Sequence, residues 1–151
     1  MPDWNSEIET AMTDFLRVAE LAGEPIEREE ITVEFLHCPH QQPRDLPHGK
    51  MAVYGFGMGG KWLKIGKAGP NSNARYTSQH YTGSAKSTLA GSLRKDPDFP
   101  ETDSLGKYEL SDWIKLNTYR VNILISSEKP RELLSLIEDY LHLRLKPKYE
   151  G

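Results

Sequence analysis

The sequence contains a single cysteine, Cys38, and no long run of apolar residues. One cysteine excludes an internal disulfide and fits a reducing compartment. Apolar stretches of only a few residues exclude a transmembrane helix, and the N-terminus lacks the basic start and apolar stretch of a signal peptide. These absences predict a cytoplasmic protein without a membrane partner, and 151 residues supply one domain's worth of chain.

Acidic residues are absent from residues 57–95, although the whole chain has a net charge of −3. Residues 1–50 carry eleven acidic and four basic side chains, so the acidic charge is concentrated near the N-terminus. A basic stretch predicts a surface that binds a polyanion, and a solvated basic face is the alternative. We assign five basic side chains of this stretch to nucleic-acid binding: Lys61, Lys67, Lys86, Arg94 and Lys95.

Periodicity and turn residues predict an alternation of helices and strands. Helices are expected near residues 6–22, 71–81, 86–95, 110–116 and 130–145, and strands near 31–36, 51–56, 62–66 and 118–125. This order predicts an α+β sandwich, in which helices flank a small central antiparallel sheet. Residues 1–50 form an acidic extension with a helix, a strand and a connector rich in proline and histidine, and residues 51–151 form the main domain.

The predicted hairpin of residues 51–66 has a turn rich in glycine. Gly57, Gly59 and Gly60 are expected to supply the positive φ angles of a short turn. With a loop of residues 58–60, Tyr54 lies opposite Lys64, and the two Cβ atoms are about 5 Å apart. The ammonium then favours the phenolate, so we expect the pKa of Tyr54 to fall below its usual value of about 10. The alternative is a tyrosine that packs along a lysine stem.

Glu138 lies at the edge of an apolar helix face. At about 100° per residue, it falls about 40° from the line of leucines, whereas Asp139 points about 140° away, toward solvent. A carboxylate on a packing face is costly unless a cation or a metal pairs with it. Glu138 is therefore a candidate metal ligand or general base, and a salt bridge or a contact with water is the alternative.

Arg75 lies on the predicted helix that follows the hairpin. The planar donors of its guanidinium suit a phosphate bound at two points. His80 is five residues further on, which is about 140° around an α-helix. We therefore expect His80 to point elsewhere, and surface positions are the alternative for both residues.

The order and spacing of these residues resemble the GIY-YIG nuclease superfamily. The segment A-V-Y that ends at Tyr54 stands where that family has G-I-Y, and K-I-G, which begins at Lys64 ten residues later, stands where it has Y-I-G. Arg75 matches an arginine on the next helix. Glu138 and Pro147 match a glutamate and a proline late in the family's module.

The resemblance implies a metal-dependent endonuclease that hydrolyses DNA phosphodiester bonds and leaves 5′-phosphate ends. Tyr54 would be the general base that takes a proton from the attacking water, and Lys64 would occupy the second-tyrosine position. Arg75 would hold the scissile phosphate, with assistance from His80. Glu138 would bind one divalent ion, Mg²⁺ or Mn²⁺.

The resemblance covers about residues 51–149 and departs from the family pattern in three places. Ala-Val replaces Gly-Ile before Tyr54, which preserves the strand. Lys64 replaces the second tyrosine, which is similar to some restriction-type members. Glu150 stands near the place where the family often has an asparagine after the terminal proline.

Several alternatives stay open at this level. The competing function is a catalytically inactive nucleic-acid-binding or protein-interaction module with the same fold. RNA is an alternative to DNA, and a homodimer is one way in which the module would read a site. Three aromatic residues either stack on bases or pack in the core: Trp62, Tyr76 and Tyr81. Four connector side chains offer zinc ligands in no standard finger spacing: His37, Cys38, His40 and His48.

Overall fold

The computed structural model describes residues 3–149 as a four-stranded antiparallel sheet with helices on both faces. The predicted α+β fold, with a small central sheet flanked by helices, is confirmed. Within the described range, no helix has the length and apolar character needed to cross a bilayer. In chain order the main elements are α1 (Trp4–Leu21), β1 (Thr32–Leu36), β2 (Lys50–Met58), β3 (Lys61–Ala68), a π-turn (Arg75–Gln79), α2 (His80–Thr82), α3 (Leu89–Lys95), α4 (Lys107–Asn117), β4 (Tyr119–Ser126) and α5 (Arg131–Leu145).

The strands lie in the order β1-β4-β2-β3, and each neighbouring pair is antiparallel. Strand β2 lies between β4 and β3 and is buried along almost its whole length. Successive side chains of a strand point to opposite faces, so β2 contributes to two cores. Val53 packs with α1 and α5 on one face, whereas Tyr54 and Phe56 pack with α2, α3 and α4 on the other.

The acidic N-terminal region contributes to the sheet and to the core. Strand β1 is an edge strand paired with β4, and the α1 residues Ile8 and Phe15 are fully buried. The helix begins earlier than expected, because the Asp3 side chain, and not Ser6, accepts the capping hydrogen bond from the Asn5 backbone. Strand β2 begins at Lys50, and β3 and β4 follow it in the chain; the domain boundary at residue 50 stays a prediction.

The register of the hairpin differs from the prediction. The loop has two residues rather than three, because Met58 pairs with Lys61. An irregularity between Phe56 and Gly57 then shifts the pairing further. Tyr54 lies opposite Gly66, and Lys64 lies opposite Phe56, so the predicted pairing of Tyr54 with Lys64 is wrong. The two side chains share a face of the sheet as diagonal neighbours.

The glycines of the hairpin occupy their positions for different structural reasons. Only Gly59 has a positive φ, of 60°. At Gly57, a Cβ atom would lie 2.2 Å from the ring of Tyr119. Gly57 is therefore required by the close approach of an aromatic ring, and the expectation that all three glycines supply positive φ angles is wrong.

Candidate active site

A cleft of about 450 Å³ lies between β3, the π-turn and α5. Its walls bring together Lys64, Arg75 and Glu138 from three distant parts of the chain. The remaining lining residues are Ile65, Gly66, Lys67, Asp139 and His142. Cationic side chains and carboxylates thus share one open cavity.

Tyr54 lies beside this cleft, behind Gly66. The tyrosine is 1% exposed. A Cβ atom at position 66 would lie 3.0 to 3.1 Å from the far edge of the Tyr54 ring and its hydroxyl. The third residue of the K-I-G segment must therefore be small, because the phenol of the paired strand occupies the space above it.

A hydrogen-bond chain fixes the tautomer of His80 and its direction toward Tyr54. The Leu89 backbone N–H donates to Nδ1 of His80 at 3.1 Å. The pKa of His80 is well below its usual value, mainly because of burial and then because of Arg75, so the ring is neutral. A neutral imidazole that accepts at Nδ1 carries its proton on Nε2. Nε2 therefore donates to the Tyr54 hydroxyl oxygen, 2.8 Å away.

The π-turn brings Arg75 and His80 to the same tyrosine. In a π-helix the hydrogen bonds run from residue i to i+5, so residues five apart lie on one face. Both side chains act on Tyr54, since His80 is hydrogen-bonded to its hydroxyl and Arg75 lowers its pKa. The expectation that His80 points away from Arg75 is wrong, because it assumed α-helical winding.

Burial raises the pKa of Tyr54 to about 12, and this outweighs the opposing charges of Arg75 and Arg120. The expected lowering by Lys64 is wrong. The register places Lys64 opposite Phe56, and the phenol is desolvated by the core around it. Glu138 also acts to raise the Tyr54 pKa.

Lys64 is buried, with only 1% exposure, and its pKa is lowered by burial first and by Arg75 second. Glu138 opposes this lowering. Desolvation and a neighbouring guanidinium both disfavour the charged form of a lysine.

Glu138 is partly buried, and its Oε1 atom lies 3.5 Å from Nζ of Lys67. Nζ of Lys67 also donates to the Ser135 hydroxyl at 3.0 Å. Asp139, expected to point away, lines the same cleft from an exposed position. His142 lines it too, and its Nε2–H donates to the Ile65 carbonyl at 3.0 Å.

These groups suit a magnesium ion better than a closed metal cage. Within residues 3–149, no three His, Cys, Asp or Glu side chains are grouped as a metal centre. Mg²⁺ is often held by one or two carboxylates together with water and substrate phosphate oxygens. Glu138 and Asp139 are the two carboxylates of the cleft that could supply such ligands, and Lys67 lies beside Glu138.

Arg75 connects the cleft to the loop before α3. Its Nη1 donates to the Lys86 carbonyl at 3.0 Å, and its Nη2 donates to the Ser87 carbonyl at 2.8 Å. A guanidinium has five N–H donors. The remaining donors leave Arg75 able to contact a phosphate while it holds the loop.

The side chains assigned to nucleic-acid binding are distributed unevenly. Lys67 lines the cleft, whereas Lys86 and Lys95 line a second depression beside α3. Lys61 lines a third, near the hairpin turn. Nη1 of Arg94 donates to the carbonyls of Thr102, Asp103 and Leu105, so Arg94 holds a loop as well as carrying charge.

His40 and the aromatic residues are core components. Nδ1–H of His40 donates to the Thr118 carbonyl at 2.7 Å, and its Nε2 is bonded to the Tyr81 hydroxyl at 2.8 Å. Both ring nitrogens are thus engaged, which disfavours the zinc interpretation of the connector. The packing alternative holds for the three aromatic residues, which are at most 5% exposed: Trp62, Tyr76 and Tyr81.

Sequence reasoning missed Arg120, a fully buried arginine in β4 that lies beside Tyr54. Its only sequence signal is a charged residue inside the apolar strand Y-R-V-N-I-L-I. Glu150, the residue near the family's asparagine position, lies outside the described residues.

In comparisons with protein-family models, curated proteins and solved structures, the chain has no significant match. The resemblance to the nuclease superfamily therefore depends on the motif residues and on the site that they form.

Proposed function

We propose that the protein is a metal-dependent endonuclease that hydrolyses DNA phosphodiester bonds and leaves 5′-phosphate ends. One observation carries this proposal. Lys64, Arg75 and Glu138, which the motif spacing singled out, line a single cleft. The Tyr54–His80 pair lies beside it.

The cationic wall would bind the scissile phosphate. Arg75 provides a planar set of donors that matches two phosphate oxygens. Lys64 and Lys67 provide point charges in the same cleft. A dianionic transition state would be stabilised by these cations more strongly than the monoanionic ground state, which is the basis of catalysis by preorganised charge.

Tyr54 would serve as the general base. A phenolate takes a proton from the attacking water, and the donor Nε2–H of His80 and the charge of Arg75 favour that anion. Because the pKa is about 12 in the free protein, the phenol is mostly protonated at neutral pH. The cleavage rate is therefore expected to rise with pH.

Glu138 would hold a divalent ion, with Asp139 nearby. When bound, such an ion polarises the phosphoryl oxygen and stabilises the leaving oxygen. Lys67 would then exchange its contact with Glu138 for one with the nucleic-acid backbone. Two carboxylates line the cleft, Glu138 and the more exposed Asp139. The exchange would explain why the cation Lys67 lies beside Glu138.

The competing function is a nucleic-acid-binding or protein-interaction module without catalysis. Two observations favour it. The raised pKa of Tyr54 keeps the phenol protonated at neutral pH, and Lys67 already pairs with the carboxylate of Glu138. Nucleic-acid binding needs the cations of the cleft but not Glu138. A carboxylate beside the phosphate path would weaken a pure binder.

A plasmid-nicking experiment distinguishes the two functions. Supercoiled DNA is incubated with Mg²⁺ or Mn²⁺ and with wild type, Tyr54→Phe, Glu138→Gln or Glu132→Gln. Glu132 is the matched control, because it is an exposed glutamate in the first turn of the same helix and does not line the cleft. Binding is measured in parallel by fluorescence anisotropy without metal.

We expect wild type and Glu132→Gln to nick, and the other two variants to lose at least about 100-fold in rate. All four proteins should bind DNA. Binding without nicking by any form would favour the inactive module. Nicking that survives Glu138→Gln would remove the proposed metal ligand.

A further inference from the structure

Arg120 is a cation with no access to water. Its exposure is 0%, and its guanidinium carbon lies 4.8 Å from the ring centroid of Tyr54 and 4.9 Å from that of Tyr76. The rings of Phe56 and Tyr81 lie 5.1 and 5.9 Å from the same carbon. Four aromatic rings thus surround one guanidinium, and the proposed general base supplies one of them.

The hydrogen bonds of Arg120 go to neutral groups. Its Nε donates to the Asn122 side-chain oxygen at 2.7 Å, and its Nη1 donates to the Tyr81 hydroxyl at 3.2 Å. Within residues 3–149, Arg120 forms no ion pair with a carboxylate. The nearest acidic group in this network is Glu34, which accepts from the Asn122 side chain at 3.3 Å.

A third hydrogen bond connects Arg120 to the π-turn. Nη2 donates to the backbone carbonyl of Tyr76 at 2.8 Å. Tyr76 follows Arg75 in the turn that brings Arg75 and His80 to Tyr54. One guanidinium therefore contacts both the face of the proposed base and the backbone that carries its two partners.

Burying a charge without a counter-ion is costly, and an apolar side chain of similar volume would often be at least as stable at such a position. A cation over an aromatic face is attracted by the ring electrons. That attraction increases when the phenol becomes an anion, since the negative charge is shared with the ring. The position of Arg120 thus serves the charged form of Tyr54 better than the neutral form.

We propose that Arg120 is a positioning residue for the cleft, which stabilises the phenolate of Tyr54 from beneath the ring and holds the π-turn in register with it. This inference deepens the proposed function, because it concerns the same base. Other charged or titratable groups also face Tyr54. They are Arg75 and His80 from the π-turn and α2, Lys64 from β3 and Glu138 from α5.

The test replaces Tyr54 with a difluorotyrosine, whose ring fluorines make the phenol more acidic and act as an NMR probe. The ionisation of residue 54 is followed by ¹⁹F NMR against pH in four backgrounds: wild type, Arg120→Met, Arg120→Lys and Arg28→Met. Arg28 is the matched control, because this partly buried arginine donates to the Ile31 carbonyl and to Glu9. The readout needs neither metal nor cleavage.

We expect the pKa of residue 54 to rise by about one unit in Arg120→Met, which corresponds to a tenfold smaller phenolate fraction. Arg120→Lys should give a smaller rise, because it keeps the charge but loses the planar fork. Arg28→Met should leave the value unchanged. If Arg120→Met folds and the pKa of residue 54 is unchanged, the proposal is overturned, and Arg120 has only a structural role.

If Arg120→Met does not fold, Arg120→Lys decides, and an unchanged pKa there overturns the proposal. Steady-state cleavage at varied DNA concentration provides a second readout. At a fixed pH, kcat should fall by the same factor as the phenolate fraction, with KM unchanged. If wild type shows no cleavage but the NMR shift is present, the nuclease assignment fails and the influence of Arg120 on Tyr54 remains.

Discussion

At the scale of single residues, the site depends on how closely its side chains approach one another. Tyr54 fits beside the cleft because Gly66 has no side chain. His80 is oriented because the Leu89 backbone fixes its tautomer. Arg75, His80 and Arg120 all act on one phenol, so the site is a connected network and not a set of independent residues.

The variant Gly66→Ala should impair catalysis more than folding. The added Cβ would lie 3.0 to 3.1 Å from the Tyr54 ring edge and hydroxyl, so the phenol must shift by a few tenths of an ångström. A small misplacement of a catalytic group lowers the rate, by about 100-fold for a shift of 1 Å. We expect a loss of plasmid-nicking rate of about three- to tenfold, and tenfold corresponds to about 1.4 kcal/mol of barrier.

The control is Gly60→Ala in the hairpin turn, where an added Cβ meets nothing within 4 Å. Thermal melting of both variants measures the structural cost. Equal nicking by Gly66→Ala and wild type would show that the Tyr54 position is not critical.

At the scale of elements, α1 is a structural part of the core. Phe15 is 0% exposed, whereas Leu21 at the end of the same helix is 80% exposed. Phe15→Ala should lower the free energy of unfolding by about 3–5 kcal/mol. Leu21→Ala should change it by no more than about 0.5 kcal/mol. Urea titration followed by circular dichroism measures both, and similar small effects would place α1 outside the cooperative unit.

Most elements could be predicted from the sequence, because apolar periodicity and turn residues mark them locally. The helix predicted at residues 130–145 and the strand at 118–125 match α5 and β4 closely. The hairpin register could not be predicted, because it depends on a shift after Phe56 and on a two-residue loop. Backbone irregularities of this kind depend on packing against other strands and leave no fixed sequence pattern.

The candidate site was only partly predictable for the same reason. Motif spacing identified Tyr54, Lys64, Arg75 and Glu138, which the structure places at or beside one cleft. The orientation of His80 depends on π-helical winding, and α-helical angles place it wrongly. The place of Arg120 in the site could not be predicted, because its contacts with four aromatic rings arise only after folding.

At the scale of the whole molecule, buried histidines couple stability to pH. Burial lowers the pKa of both His40 and His80 from the usual 6.5. In the unfolded chain these rings take up protons below pH 6.5, whereas in the folded chain burial delays their protonation to lower pH. Stability is therefore lost as pH falls below 6.5, by up to about 1.4 kcal/mol per pH unit for each ring.

Urea titrations between pH 7.5 and 5 should show this loss. His80→Gln should reduce the slope of unfolding free energy against pH, whatever its effect at neutral pH. His48→Gln is the control, because His48 is exposed, and it should leave the slope unchanged. An unchanged slope in His80→Gln would mean that His80 does not resist protonation in the folded protein.

The charge of the molecule is organised around the cleft rather than along the chain. The N-terminal acids Glu9, Asp14 and Glu30 pair with Arg28, Arg144 and Lys129 respectively. None of these three cations belongs to residues 57–95. These acidic residues thus pair with cations outside the basic stretch, and Lys64, Lys67 and Arg75 line the open cleft.

The rate of single-turnover DNA cleavage as a function of pH tests the central claim most directly. A labelled duplex is cleaved with excess protein and Mg²⁺ between pH 6 and 9, by wild type and by Tyr54→Phe. Because the pKa of Tyr54 is about 12, the wild-type rate should rise about tenfold per pH unit, and Tyr54→Phe should be at least about 100-fold slower. No cleavage by wild type at any pH, or equal rates for the two proteins, would contradict the assignment of Tyr54 as the base of a nuclease.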